Sequence, residues 1–67
     1  MVVTSDYAVE MYDASGFVEQ LDVFDSLEAA ENFRESRSES LEDGEYLIIR
    51  FINYDKNGKE IATGVIS

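Results

Sequence analysis

The sequence contains neither cysteine nor histidine among its 67 residues. Without cysteine the fold has no disulfide or thiolate metal site, and without histidine it lacks the usual zinc ligand and neutral-pH general base. No apolar run approaches the roughly 20 residues of a membrane span, and the N-terminal segment lacks the basic start of a signal peptide. We therefore expect one soluble intracellular domain, residues 1–67, held by packing, without metal, cofactor or membrane contact.

Sequence motifs that mark catalysis are missing as well. The chain has no GxxxxGK[ST], GxGxxG or GxSxG pattern, and its serines have no histidine to activate them. The segment DKNGKE begins like a calcium-binding loop, but its glycine is the fourth residue of the loop rather than the sixth. Neighbouring carboxylates such as Asp22 and Asp25 arise by chance on so acidic a chain. We predict that the protein is not an enzyme.

Basic residues are scarce, with 5 Lys and Arg against 15 Asp and Glu, for a net charge of −10. Such a charge repels nucleic acid and anionic membranes, so direct nucleic-acid binding is not expected. It attracts basic surfaces, including those of proteins that themselves bind nucleic acid. The alternative is that the acidity only keeps a small protein soluble.

Two N-terminal segments alternate between apolar and polar residues with the period of a β-strand. In residues 3–12 one face consists of Val3, Tyr7, Val9 and Met11, and in residues 17–24 it consists of Phe17, Leu21 and Val23. The intervening DASG has the composition of a turn. The two segments are predicted to pair as an antiparallel hairpin.

The period changes near Asp25, where a helix is predicted to start. Asp25 or Ser26 can cap it, and Leu27, Ala30 and Phe33 recur at a spacing of three, which predicts a stripe that faces the sheet. The segment SRSES has weak helix propensity, and Asp43-Gly44 is a stop signal. The helix is therefore predicted to run from about residue 26 to a residue between 36 and 42.

The most apolar segment, residues 45–54, is apolar on both faces, which is typical of a central strand or of one covered by a partner. Asn57-Gly58 predicts a hairpin into a last strand at 60–66. The predicted fold class is α+β: a four-stranded antiparallel sheet of two hairpins with one helix packed on one face, in the order β-β-α-β-β. The uncovered face is predicted to be half-exposed, a dimer interface or a binding surface, and to carry Val18, Phe24, Tyr46, Ile48, Ile52 and Tyr54.

Carboxylates recur every three or four residues along the helix and the loop after it. The predicted partner-binding residues, which we call the acidic surface, are Glu28, Glu31, Glu35, Glu39, Glu42 and Asp43. If the helix reaches Glu42, the five glutamates lie within about 80° of its circumference. Like-charge neighbours cost roughly 0.2–0.5 kcal/mol each, and acids are disfavoured at the end of a helix, so this placement indicates function. If the chain leaves the helix near Arg37, the same residues form an ordinary solvated face.

One carboxylate per helical turn of about 5.4 Å is of the same order as the phosphate spacing of a nucleic-acid strand. A tiny acidic domain with SLEAAENF between two hairpins and no catalytic residue resembles the small phage-encoded inhibitors of host defence, of which anti-CRISPR proteins are the best-known group. The resemblance covers the whole chain in size, charge and layout, without a diagnostic motif. It implies a partner class: basic, nucleic-acid-binding proteins of a bacterial host.

The function expected from the sequence is therefore that of a nucleic-acid mimic. It would act in the cytoplasm of an infected or lysogenic bacterial host, bind a basic surface of an effector, and compete with DNA or RNA. The alternative is an interaction module that does not mimic nucleic acid and is homodimeric through the apolar sheet face. Both a monomer and a homodimer are compatible with the sequence.

Overall fold

The computed structural model describes residues 2–66, which form one antiparallel sheet and one helix. The elements are β1 (Thr4–Asp13), β2 (Gly16–Phe24), α1 (Leu27–Ser38), β3 (Tyr46–Tyr54) and β4 (Glu60–Val65). The predicted α+β class and the order β-β-α-β-β are confirmed. Met1 and Ser67, which the predicted domain 1–67 includes, lie outside the described residues.

The strand order across the sheet is β2-β1-β3-β4, so β1 and β3 are the central strands. Both predicted hairpins are present, and β1 and β3 join them by pairing from Thr4 opposite Tyr54 to Tyr12 opposite Tyr46. β3 is thus a central strand, one of the two arrangements that its two apolar faces indicated. The sequence did not indicate which strand of the first hairpin lies beside it.

The helix packs on one face of the sheet and closes a small core. Val9, Ala30 and Ile49 are fully buried between helix and sheet. Partly buried side chains surround them: Tyr7, Leu21, Phe24, Leu27, Phe33 and Leu47. The rings of Phe24 and Phe33 lie 5.2 Å apart, so Phe33 faces the sheet as the helical spacing predicts.

The opposite side of the sheet, which we call the open face, has no element packed on it within residues 2–66. It is formed by Ala8, Glu10 and Tyr12 of β1, Tyr46, Ile48, Arg50 and Ile52 of β3, and the neighbouring Phe17, Val23 and Val65. Ala8 is fully buried there, whereas Phe17, Tyr46 and Val65 are each more than half exposed. The open face is therefore largely apolar, and the burial of its side chains differs from residue to residue.

The face assignment predicted for β2 is wrong. Register shifts opposite Val9/Glu10 and Met11/Tyr12 interrupt the alternation of this strand. As a result Leu21 packs into the core while Phe17 and Val23 belong to the open face, and Phe24 lies on the helix side rather than with Tyr46. An extra residue at a β-bulge moves every side chain after it to the other face, and a pattern of period two cannot reveal it.

The β3–β4 connection is a type I turn followed by a glycine in the left-handed region. Gly58 N–H donates to the carbonyl oxygen of Asp55 at 3.0 Å, and Gly58 has φ 79°. The Asp55 carboxylate accepts bonds from the N–H groups of Asn57 and Lys59 at 2.8 and 3.0 Å. Asn57-Gly58 therefore marks a hairpin, as predicted, with a three-residue loop.

None of the helical structure in residues 2–66 has the length and apolar character that crossing a bilayer requires.

Candidate acidic interaction surface

Local sequence fixes where α1 begins. Ser26 has extended backbone angles, φ −138° and ψ 147°, and its hydroxyl accepts a hydrogen bond from Ala29 N–H at 3.2 Å. This is the side-chain cap that the sequence allowed at Asp25 or Ser26. Glu28 follows in the first turn, where the partial positive charge of the helix end favours a carboxylate. The first acid of the acidic surface therefore also stabilises the helix.

Serine hydroxyls bond to backbone carbonyl groups near the end of the helix. The hydroxyls of Ser38 and Ser40 donate to the carbonyl oxygens of Glu35 and Arg37 at 2.7 and 3.0 Å. The carbonyl oxygen of Arg37 also accepts a bond from Ser40 N–H at 3.1 Å. Ser36 makes the same kind of hydroxyl bond to the carbonyl of Phe33 inside the helix, so these bonds accompany the helix end rather than cause it. The helix ends at Ser38 with Glu39 as its C-terminal cap, inside the predicted range of 36 to 42.

Two residues of the acidic surface consequently lie beyond the helix. Glu42 and Asp43 belong to a turn in which Glu45 N–H donates to the carbonyl oxygen of Glu42 at 3.0 Å and Gly44 has φ 85°. The carboxylate of Glu45 in turn accepts a bond from Glu42 N–H at 2.8 Å. A helical stripe through Glu42 is therefore not formed. The electrostatic penalty of a helix end applies to Glu39 and not to Glu42.

The other members keep the arrangement that the spacing predicts. Glu28, Glu31, Glu35 and Glu39 follow one another by three or four residues and project from one side of the helix over about 16 Å. All six residues of the acidic surface are exposed. The acidic surface is thus a helical row of four carboxylates that continues into the acidic turn.

The two arginines of the helix project from its other side. Arg34 and Arg37 follow the buried Ala30 by four and seven residues, so both stand toward the sheet. The guanidinium carbon of Arg37 lies 5.4 Å from the centre of the Phe33 ring, a cation–π contact. This placement leaves the outer side of α1 without a basic residue.

Among residues 2–66, no carboxylate of the acidic surface takes part in an ion pair, whereas Arg50 and Glu10 on the open face form one at 3.0 Å. Within the same residues, no group of three or more potential metal ligands comes together. The acidic surface therefore offers separate, solvated carboxylates. It suits several basic side chains arranged in a row better than a single cation.

A groove of about 680 Å³ separates the C-terminal half of α1 from the start of β3. Its walls include Glu31, Arg34 and Glu35 of the helix, together with Glu45 and the apolar Leu41 and Leu47. The groove therefore presents three acidic residues and one basic residue beside its leucines. The groove thus extends the acidic surface from the helix toward the sheet.

The open face holds a polar group that sequence reasoning missed. Arg50 Nε donates to Glu10 Oε1 at 3.0 Å, Tyr12 Oη donates to the same oxygen at 3.2 Å, and Arg50 Nη2 donates to Tyr12 Oη at 3.2 Å. Hydrogen bonds to Glu10 and then to Tyr12 raise the pKa of Arg50 above its ordinary value. Arg50 lies opposite Ala8 and reaches Glu10 diagonally, two residues further along β1. The Arg50–Glu10 contact therefore depends on the register between β1 and β3, which the sequence does not show.

Comparisons with protein-family models, with curated proteins and with solved structures gave no match to this chain. Function is therefore argued from the chemistry and placement of the exposed residues.

Proposed function

We propose that this protein is a small phage-type inhibitor, similar to anti-CRISPR proteins, that binds a basic nucleic-acid-binding surface of a bacterial effector. In this role it competes with DNA or RNA and does not itself bind nucleic acid. The acidic surface supplies the contact, and the protein acts in the cytoplasm of an infected or lysogenic host. No catalytic step, metal or cofactor takes part.

One observation carries the proposal: the outer side of α1 presents Glu28, Glu31, Glu35 and Glu39 without ion-pair partners among residues 2–66. Carboxylates at this spacing form charge-assisted hydrogen bonds with arginines and lysines that otherwise hold phosphates. Because the helix is fixed to the sheet through Ala30 and Phe33, the row is rigid before binding. A preorganised row of charges loses less conformational entropy on association than a flexible acidic tail does.

The distribution of charge over the molecule supports the same role. Nine acids lie within residues 22–45, against Arg34 and Arg37. Lys56 and Lys59 occupy the β3–β4 turn, at the other end of β3 from the acidic turn at 42–45. The negative field is therefore directed from the helix and its C-terminal turn. Such a field steers the protein toward a basic groove and speeds encounter.

A differential capture experiment tests the proposal. Three proteins are immobilised: the parent, the variant E31K/E35K, and the control D6K/E60K, which has the same net charge as the variant but alters β1 and β4. Host proteins retained by the parent and the control but lost from E31K/E35K are identified by mass spectrometry. We expect nucleic-acid-binding proteins among them, and we expect labelled DNA or RNA to be displaced from them by the parent.

Two results would contradict the proposal. One is equal retention by E31K/E35K and D6K/E60K, which would mean that only total charge matters. The other is a retained protein whose nucleic-acid binding is unaffected by an excess of the parent. Circular dichroism of both variants establishes that any loss reflects the surface and not the fold.

The second candidate is an interaction module that does not mimic nucleic acid, and the open face favours it. Phe17 and Tyr46 are 58% and 52% exposed on either side of Tyr12, and their rings contact that of Tyr12 with centroids 5.7 and 5.8 Å away. Exposed aromatic rows of this kind often mark contacts between proteins. Target binding that is lost in F17S/Y46S but kept in E31K/E35K would favour this candidate over mimicry.

A further inference from the structure

The two edges of the sheet differ in a way that points to a second contact. The outer strand β2 carries the acids Glu19 and Asp22 and two register shifts, which are devices that discourage pairing with another strand. The other outer strand, β4, has no charged residue in its stretch 61–65. Its one register shift, opposite Asn53/Tyr54, falls at Ile61, and residues 62–65 pair with β3 in regular register. Residues 62–65 of β4 therefore lack the charges and register shifts that protect β2 as an edge.

The ladder between β3 and β4 determines which backbone groups are free. Ile66 N–H donates to the carbonyl oxygen of Ile49 at 2.8 Å. In an antiparallel pair such bonds occur at every second residue, so Gly64 and Ala62 also bond toward β3. The N–H and C=O groups of Thr63 and Val65 therefore point away from the sheet. They are available to a further strand.

The side chains next to these backbone groups match one another when two copies of this strand pair antiparallel. Residues 61–65 read Ile-Ala-Thr-Gly-Val, with Thr63 at the centre. In an antiparallel pairing of two such strands about Thr63, Ile61 meets Val65 of the second copy, and Ala62 meets Gly64 of the second copy. Each cross-strand pair then joins residues of the same kind, two β-branched or two very small. No charged residue enters the pairing.

We propose that β4 pairs with β4 of a second copy about a two-fold axis at Thr63, giving one continuous eight-stranded sheet. The pairing uses Ile61 and Val65, which are 44% and 53% exposed in the single chain. It joins the two copies through a strand edge, whereas the dimer expected from the sequence used the sheet face. It does not rest on the proposed inhibitory function.

Charge favours a second copy at the β4 edge over one at the β2 edge. Each copy carries a net charge of −10, so association is opposed unless the acids stay apart. The helix packs against β1, β2 and β3 and not against β4, so pairing through β4 places the two acidic surfaces on distant sides of the dimer. Pairing through β2 would instead bring Glu19 and Asp22 against their own copies.

The pairing is expected to be weak. Two five-residue strands bury far less than the roughly 1,200 Å² of a stable interface. We therefore expect a dimer that forms with rising concentration, and we expect salt to strengthen it because salt screens the repulsion between acidic copies. A mimic's binding to a basic target responds to salt in the opposite direction. The two contacts are thereby separable in one titration.

Sedimentation equilibrium of matched variants tests the pairing. I61K/V65K sets lysines directly opposite each other twice at the two-fold axis, and we expect it to lower the association constant at least about tenfold. The control V18K/V23K makes the same change of charge at two valines of the β2 edge, which are 42% and 39% exposed. We expect the control to associate at least as well as the parent, because it reduces the net negative charge.

A second measurement does not depend on added charge. The chain has no cysteine, so T63C provides a single thiol per copy, at the proposed axis. Opposite residues in a hydrogen-bonded pair have Cα atoms about 5.5 Å apart, within the range of a disulfide. We expect T63C to oxidise to a covalent dimer faster than V23C at equal concentration. A parent that stays monomeric at every concentration and salt, or T63C and V23C that oxidise at equal rates, would overturn the proposal.

Discussion

Arg50 is held on the open face by two neighbouring side chains. Its guanidinium bonds to Glu10 and Tyr12, and the side chains of Arg50 and Glu10 are only 27% and 12% exposed. A nearly buried carboxylate is costly unless it is paired and hydrogen-bonded. The network therefore allows polar groups at the centre of an apolar sheet face, and it covers Ala8, which is fully buried beside it.

A double-mutant cycle tests this dependence at the residue scale. R50M removes the counter-charge and leaves Glu10 little access to water, so we expect it to lower the free energy of unfolding by about 1–3 kcal/mol. E10Q/R50M removes both charges and should recover at least half of that loss. Urea unfolding followed by circular dichroism measures both values. E10Q is the other single variant of the cycle. If the losses in E10Q and R50M simply add in E10Q/R50M, the Arg50–Glu10 pair does not stabilise the sheet.

At the scale of the element, the acids of α1 have opposite effects at its two ends. Glu28 lies in the first turn, where a carboxylate is favoured, and Glu39 is the C-terminal cap, where it is disfavoured. The same substitution is therefore expected to act with opposite sign. E39K should raise the free energy of unfolding by about 0.3–1 kcal/mol, and E28K should lower it by a similar amount.

Thermal unfolding at low ionic strength measures this pair of variants, and each is the control for the other. Both lower the negative charge of the chain equally, so a general relief of repulsion would stabilise both. Because salt screens the helix dipole, the difference between them should shrink as salt is added. Equal shifts in the two variants would mean that overall charge, and not the helix ends, governs stability.

Phe33 is the largest of the helix side chains that pack against the sheet. It is half-buried and meets the ring of Phe24, so we expect F33A to cost about 2–4 kcal/mol, near the lower end of the range for buried phenylalanine. The matched control is F17A on the open face, where the ring is 58% exposed and only an aromatic pair worth about 0.5–1.5 kcal/mol is lost. Urea unfolding of the two variants compares them, and equal losses would contradict this role of Phe33.

The regular parts of the elements could be predicted from the sequence, and the irregular parts could not. The range 46–54 for β3 and the sheet-facing Phe33 follow from apolar periodicity, which one buried face imposes directly. The faces of Phe24 and Leu21 depend on bulges in β2, and the Arg50–Glu10 contact depends on pairing between strands that are far apart in sequence. Such features are fixed by tertiary register, which leaves no local pattern.

At the scale of the whole molecule, the sequence predicts which residues form the acidic surface but not how they are arranged. The spacing of the glutamates indicates which of them share a side of a helix. However, α1 ends at Ser38, so Glu42 and Asp43 lie in the turn after it, which the spacing does not show. The described chain measures 40 × 24 × 15 Å along its principal axes. The acidic turn precedes β3 and the lysine-bearing turn follows it, so the two turns lie at opposite ends of this strand. The molecule is therefore electrically polar along that strand.

This polarity makes the rate of association the quantity that best tests the proposed mimicry. E31Q/E35Q/E39Q removes three charges from the acidic surface while it keeps side-chain size and hydrogen-bonding capacity. Toward the nucleic-acid-binding protein isolated by differential capture, we expect the association rate to fall by about tenfold at low salt.

The control D6N/E19Q/E60Q loses the same charge elsewhere and should change that rate much less. Because long-range attraction is screened within a Debye length, the two variants should converge in rate as ionic strength rises. Equal association rates for the two variants at low salt, measured by surface plasmon resonance, would mean that the placement of these carboxylates does not guide encounter with the target.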